Sequence, residues 1–412
     1  RLARRGVSFT ESYSTDPVCC PARSSLFTGR MSSETAVVSN SFPMRKDIPD
    51  LGQWLDRSGY ETVYVGKWHI PNRNYEESFR VLPGAYGVGE HCDPAIARNC
   101  ESYLLNRTGG KPFLLVGSFL NPHDICYWVM RNWGIPDGMR YKEIENELPP
   151  LPPNFKYDPR EPEHLQKRRK LAESKRTGVW TERMWQYYIW SYYRQIEMVD
   201  ACIGRILDAL EDSGHADNTI ILFTADHGDG HARHKMPSKS FLYDEAAKVP
   251  MMVSCPGRVL EDKLDKEHLV SGADMVPTLC DYAGVKPPAG VVGRSLRPLL
   301  EGKSVEWREF VAAESNITGR MIRTSQYKYI TYKDDPVEQL FDMKNDPWET
   351  KNIVGESKYA SVVGDHRKLL QEWSSKLDPA PEPPQGWQAL FKNINKRQNK
   401  RKKEQQLKKR KQ

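Results

Sequence analysis

Four short apolar runs, Thr62–Val65, Phe113–Phe119, Thr219–Phe223 and Met251–Ser254, constrain most strongly how this chain can fold. They have strand length, and they are too continuously apolar for strands with one wet face. Helical patterns lie between them. The clearest is Trp185–Leu210, where Tyr192, Ile196, Val199, Ile203, Ile206 and Leu210 recur at alternating spacings of four and three and make one apolar stripe. Leu51–Ser58 reads as a second helix, stopped by Gly59. Strands buried on both faces and alternating with helices predict a mostly parallel sheet sandwiched by helices.

In such a sheet, ligands bind outside the carboxyl ends of the strands. Three of the runs end in polar clusters there. Gly66-Lys67-Trp68-His69 follows the first, Asn121-Pro122-His123-Asp124 the second, and Ala225-Asp226-His227-Gly228-Asp229-Gly230 the third. Each cluster alone is also ordinary turn chemistry. Three at one sheet edge argue for a shared cleft containing Lys67, His69, His123, Asp226 and His227. That mix suits an anionic substrate and a metal held by hard oxygen ligands.

Composition limits the alternatives. The chain has 412 residues, 28% charged and 38% hydrophobic before its 28 Gly are counted. That is a globular composition, not a disordered or collagen-like one. No uncharged apolar run approaches the ~18 residues of a membrane span. The net charge of +7 is concentrated in one place, since residues 392–412 hold eleven Lys/Arg against Glu404. The rest of the chain is slightly negative. A lysine-rich tail attracts phosphate without reading sequence, but this one lacks interleaved aromatics and any recognition motif, so no specific nucleic acid partner is expected. The eight Cys form no pair of CxxC motifs, which argues against structural zinc and for free buried thiols.

The organisation follows from these patterns. Residues 1–5 read as the end of a helix, with Gly6 as its stop and Val7–Phe9 starting a strand, so residues are expected to precede Arg1. Pro149, Pro150, Pro152, Pro153, Pro159 and Pro162 mark an interruption over 130–178, including a charged helix at Glu163–Arg176. It is either an insertion beside the substrate or a plain surface loop. From Trp307 the pattern becomes antiparallel: Met321–Thr324, Tyr327–Tyr332 and Leu340–Asp342 as strands, then a helix at Lys358–Lys376. The expected units are 1–306, 307–378 (a small antiparallel sheet with a helix), and 379–412 (a Pro-rich linker and a disordered basic tail).

The segment Cys19-Cys20-Pro21-Ala22-Arg23-Ser24-Ser25-Leu26-Phe27-Thr28-Gly29-Arg30 reads locally as a helix start, with Pro21 in the first turn and Gly29 as the stop. It also resembles the signature of type I sulfatases, Cys-x-Pro-Ser/Ala-Arg followed by Leu-x-Thr-Gly-Arg. Gly66-Lys67-Trp68-His69, Asn121-Pro122-His123 and Asp226-His227-Gly228 with Lys239 resemble further loops of that family, and the likeness runs from residue 1 to about 378. It implies the alkaline-phosphatase-like α/β fold and hydrolysis of a sulfate ester, on a carbohydrate or another small molecule, to alcohol and sulfate.

The resemblance also implies roles for residues. Cys19 would be oxidised to formylglycine by a maturation enzyme. Arg23 would hold the aldehyde hydrate, and Lys67 and Lys239 would supply cations to the sulfate. One hydroxyl of the hydrate would attack sulfur. His123, with Lys239 as a second donor, would protonate the leaving oxygen, and His69 would take a proton from the other hydroxyl. Asp226 and His227 would be metal ligands for Ca²⁺, with Mg²⁺ as the alternative. His234 would face the substrate, whereas His231 reads as solvated. By family habit the protein would work outside the cytoplasm: in the periplasm or secreted in a bacterium, in the lysosome of a eukaryote.

One departure stands out. Members of that family complete the metal site with an Asp-Asp pair at the end of the first strand; here Asp16 alone is present, too close to Cys19 to take that place. The first strand and its acidic pair are expected to be missing, and two ligands hold Ca²⁺ poorly. The 412-residue chain is therefore expected to be metal-deficient and largely inactive. The competing readings are a phosphonate monoester or phosphodiester hydrolase of the same superfamily, and a non-catalytic binding protein using the basic tail.

Overall fold

All four continuous apolar runs become strands, buried at Glu61–Gly66 and Met251–Ser254 but only half-buried at Phe113–Ser118 and Ile221–Thr224. The computed structural model describes residues 1–84, 87–138, 142–316 and 318–378. Its strands are β1 (Gly6–Phe9), β2 (Ser12–Tyr13), β3 (Glu61–Gly66), β4 (Arg80–Val81), β5 (Phe113–Ser118), β6 (Ile221–Thr224), β7 (Met251–Ser254), β8 (Lys263–Asp265), β9 (Val270–Ser271), β10 (Phe310–Ser315), β11 (Gly319–Thr324), β12 (Tyr327–Tyr332) and β13 (Gln339–Asp342). Val63, Tyr64 and Val65 in β3 are fully buried. β3 runs parallel to β5, from Glu61 opposite Phe113 to Gly66 opposite Ser118, and parallel to β4 on its other side. The fold is the expected α/β type, with one difference in detail: β7 pairs antiparallel with both β1 and β6.

The main sheet comes as two ladders, ordered β4-β3-β5 and β6-β7-β1-β8. Side chains of both pack against common clusters. Phe113 and Leu115 of β5 share a cluster with Ile221 of β6, Ile206 and Leu210. On the other face, Leu114 and Val116 share one with Leu222. No ladder joins β5 to β6 among the described residues. The helix Glu182–Asp212 covers this line and begins where the Thr181 hydroxyl caps the N–H of Met184. The apolar stripe read from the sequence lies on this helix, but it is not wholly buried. Leu210 is buried, Val199 and Ile203 are half-buried, and Ile196 is 42% exposed.

Residues 310–342 form the separate antiparallel sheet β10-β11-β12-β13. One face packs Tyr329 and Leu340 under Val363 of the helix Ala360–Ser375. The other packs Val311, Ala313, Met321, Ile330 and Phe341 against Phe241, Leu242, Tyr243 and Ala246. That contact fixes the segment carrying Lys239. β10 was not legible in the sequence. Its Glu314 breaks the apolar run, yet it is fully buried, because Ser32 donates to it (Oγ to Oε2, 2.5 Å) and Arg320 pairs with it at 3.1 Å. The charged helix is shorter than expected, Glu163–Ala172, followed by a wider turn over Glu173–Thr177. All eight Cys are free. The linker and tail assigned to 379–412 lie outside the described residues. No helix among those described is long and apolar enough to cross a membrane.

Candidate active site

The helix Cys19–Thr28 carries the first two groups. Val18 is extended before it, and Gly29 ends it at φ 68 with its N–H on the Ser25 carbonyl (2.8 Å). Every residue of the helix is buried. Cys19 sits at the N-terminal end, where unpaired N–H groups favour an anion. Arg23 lies one turn on, on the same side.

Arg23 gathers the loops. Its Nε donates to the Trp68 carbonyl (2.6 Å), its Nη2 donates to the Tyr64 hydroxyl (2.7 Å) and Ser118 Oγ (2.8 Å), and its Nη1 stands 3.8 Å from Asp226 Oδ2. Tyr64 in turn donates to the Lys67 carbonyl. The chain can turn here because residue 66 is glycine. It has φ +105, and a Cβ would lie 2.1 Å from the Ser118 carbonyl oxygen.

Around Cys19 the three strand-end loops converge as expected. Lys239 Nζ donates to Sγ at 2.9 Å, and His227 Nε2 lies 3.2 Å from it. His69 and His123 reach the same sulfur. Burial pushes the thiol up, but the His227 charge and the contacts from His123, His227 and His69 outweigh it and hold Cys19 well below the usual thiol range. The bonds to Cys19 and Cys20 raise His69 to about 9. Lys67 Nζ donates to Asp226 Oδ2 at 3.1 Å. Burial pushes Asp226 up, but Lys67, His227 and Arg23 hold it below the carboxylate range. Burial lowers Lys239, and the neighbouring Cys19, Cys126 and Asp226 raise it further.

Several positioning groups were not legible in the sequence. Tyr64 and Ser118 lie inside strands. Ser14, whose Oγ donates to the Asp226 carbonyl (2.6 Å), and Tyr188, which donates to Asp229, are remote from the motifs. Only the folded sheet brings them in.

His234 requires a correction. It is 3% exposed and stacks on Tyr243, with ring centroids 3.8 Å apart. Nδ1 lies 3.0 Å from Glu245 Oε1, and Nε2 lies 3.1 Å from the Glu349 carbonyl. Both ring nitrogens are in use, so none is left for a substrate. Its backbone, at φ 49, turns the ring inward. His234→Leu is expected to cost about 1–3 kcal/mol by leaving Glu245 unpaired, with KM for a sulfate ester unchanged; urea unfolding and steady-state kinetics measure both. His231, read as solvated, is half-buried against Tyr192 and Tyr193, and burial lowers it to about 4.

A buried sulfur among cations and imidazoles, at the carboxyl ends of strands, suits chemistry on an anionic ester. The family model for sulfatases matches residues 1–285, and the model for the C-terminal part of N-sulphoglucosamine sulphohydrolase matches 232–376. This chain belongs to the sulfatase family and is a sulfate ester hydrolase. A Delta 4,5-hexuronate-2-O-sulfatase of Bacteroides thetaiotaomicron is 32% identical over 406 residues, covering 90% of this chain and 82% of the relative. An N-acetylglucosamine-6-O-sulfatase of the same organism is 26% identical, covering 90% and 80%. The solved structure of a 2-O GAG sulfatase superposes with a TM-score of 0.81 at 30% identity, covering 94% and 87%. The phosphonate monoester hydrolase of Agrobacterium radiobacter shares the fold (TM-score 0.74, 22% identity, 92% and 90%).

Family membership implies a divalent metal here. Among the described residues, the groups able to share an ion are Cys19, Asp226 and His227. Asp226 is their only carboxylate, and Lys67 and Arg23 already face its Oδ2. Ca²⁺ takes six to eight oxygen ligands. One carboxylate, one imidazole and one sulfur do not fit it, and no catalytic step is derived through it.

Proposed function

We propose that this chain works outside the cytoplasm and removes sulfate from a sulfated saccharide of the glycosaminoglycan kind, with Cys19 converted to formylglycine by a maturation enzyme. The observation that carries this reading is the position of Cys Sγ, 2.9 Å from Lys239 Nζ and at the meeting point of His69, His123 and His227. The names of the 2-O- and 6-O-acting relatives support the saccharide.

Each step follows from groups on the page. Water adds to the aldehyde to give a geminal diol at residue 19. One diol oxygen gives its proton to His227 Nε2, 3.2 Å from the residue-19 position, and attacks sulfur; the bond from sulfur to the saccharide oxygen breaks, and His123 gives that oxygen a proton. Lys67 and Lys239 face the charge that grows on the sulfuryl oxygens, while Arg23 holds the loop that carries Lys67. The enzyme then carries a sulfated diol. His69 takes the proton of the second hydroxyl, the carbon–oxygen bond to sulfate breaks, and the aldehyde returns as sulfate leaves. The raised value of His69 comes first from Cys19. In the diol form that first partner is gone and only Cys20 still raises His69, which shifts the ring back in the direction of a base.

The test combines mass analysis of the peptide containing residue 19 with sulfate release from sulfated disaccharides and hydrolysis of an aryl phosphodiester. Formylglycine with preferred release of saccharide sulfate is expected. An active enzyme with an intact Cys19 thiol, or a strong preference for the diester, would overturn the reading.

A further inference from the structure

We infer that Arg168 and Arg176 form a second anion subsite beside the reacting position, which takes a carboxylate or a further sulfate carried by the same saccharide. The inference rests on the saccharide reading above and names what else that substrate carries.

Both arginines come from the Pro-marked interruption over 130–178. Arg168 lies in the helix Glu163–Ala172, and Arg176 in the wider turn Glu173–Thr177 that follows it. Neither has a carboxylate partner among the described residues. The neighbouring Arg169 shows the ordinary solution, since it pairs with Glu161 and donates to its Oε2 at 3.0 Å. Arg168 Nη2 instead donates to the Lys239 carbonyl, and its Nε is shut off from solvent with no partner. Thr177, next to Arg176 and 1% exposed, has a hydroxyl with no partner either. A buried donor on a charged group is costly to leave without an acceptor, and folded proteins leave few such groups without an occupant. Arg176 is exposed, and its guanidinium lies over the Trp133 ring, 5.3 Å from the centroid. Burial lowers Arg168, and the Arg176 charge adds to that effect against the opposing pull of Tyr332. Two guanidinium groups this near each other, with no carboxylate between them, are matched by an oxyanion.

The pair stands beside the chemistry. Lys239 links the two places: its Nζ donates to Cys19 Sγ at 2.9 Å, and its carbonyl accepts from Arg168. Arg176 lines a small cavity with Cys126, Tyr188, Asp229 and Ser238, the residue before Lys239. Asp229 is the carboxylate of that cavity, and it is already engaged by the Tyr188 hydroxyl and the His231 N–H (3.1 Å). It therefore does not neutralise the arginines. An anion held by them lies one lysine side chain away from the scissile sulfate, a separation that suits two substituents of one small saccharide. The guanidinium fork matches carboxylate and sulfate alike.

The experiment uses the full chain and three disaccharides. The first carries the scissile sulfate and a hexuronate carboxylate, the second has that carboxylate reduced to an alcohol, and the third is the reduced compound with a second sulfate. In the unmutated enzyme, kcat/KM should fall when the second anion is absent. Arg176→Gln should shrink that penalty by roughly 10–100-fold, the worth of a hydrogen bond to a charged group. Arg176 is exposed, so the variant keeps its fold, and Arg176→Lys should restore part of the penalty. Arg183→Gln removes an exposed arginine already paired with Asp137 and Glu145, and should leave the penalty as it is. The larger coupling, with the carboxylate or with the second sulfate, says which anion the subsite takes. Coupling of Arg176 with neither overturns the inference and leaves the sulfatase reading standing. If no saccharide sulfate is released at all, the saccharide reading falls. Calorimetry then decides the subsite alone, with the desulfated carboxylate disaccharide as the probe. Weaker binding to Arg176→Gln than to the unmutated chain supports it, and equal binding or none overturns it.

Discussion

Lys239→Ala should reduce kcat/KM for sulfate ester hydrolysis by about 10²–10³-fold, the usual cost of one preorganised donor to a developing anion. Lys239 stands 2.9 Å from the reacting position, and the segment that carries it is anchored by the Phe241–Tyr243 packing against the C-terminal sheet. The loss should therefore be chemical, with the fold intact. Lys239→Arg should rescue little, because a planar guanidinium cannot replace a compact ammonium in a filled site. The measurement compares kcat/KM per formylglycine, with the modified fraction counted by mass, so that a failure of maturation is not read as a failure of catalysis. A loss below tenfold would remove Lys239 from the transition state.

Lys328→Met should cause the largest loss of stability, about 3–5 kcal/mol. Lys328 is fully buried, with Nζ 2.8 Å from both Asp244 Oδ1 and Glu349 Oε1. Glu349 Oε2 also accepts from the Asp244 N–H (2.7 Å). The ammonium is the cation between two buried carboxylates, and removing it leaves both without compensation. The pH dependence has a definite sign. Burial raises Glu349 to about 7, so its contribution is complete below the ordinary carboxylate value and is lost as pH rises through 7. Asp244 is buried too, but Lys328 holds it below the ordinary value, so its contribution is present above that value and is lost on acidification. Without Lys328 both carboxyls move up. The gap between the two proteins in urea unfolding should then widen between about pH 5 and pH 8. Glu349→Gln in the Lys328→Met background should recover part of the loss.

Much of the site was legible because its residues end strands. Lys67, His123 and Asp226 each follow the carboxyl end of a predicted strand, which is why they gather. The β3–β5 ladder places Lys67 against His123, whereas Asp226 is placed by side-chain packing, since no ladder joins β5 to β6 among the described residues. The position of His234 was not legible, since nothing in its spacing from Lys239 says that a left-handed backbone turns the ring under Tyr243. Arg23 was legible as a cation but not as a clamp, because its partners Tyr64 and Ser118 sit in two different strands. β10 was hidden by Glu314, which pairs with Arg320 on the next strand and accepts from the Ser32 hydroxyl and the Ser33 N–H, both far away in sequence.

The two-ladder sheet has a mechanical consequence. Among the described residues no ladder joins β5 to β6; Leu115 and Ile221 pack against one shared cluster and Val116 and Leu222 against another, with Lys67–Asp226 and Arg23–Asp226 as polar stitches at one end. Such a seam separates cooperative units. The amides along the facing edges of β5 and β6 should exchange with solvent long before those between β3 and β5, and hydrogen exchange read peptide by peptide would show it. The chain should part first along this line, directly under the cations, so that the integrity of the seam sets the integrity of the anion site.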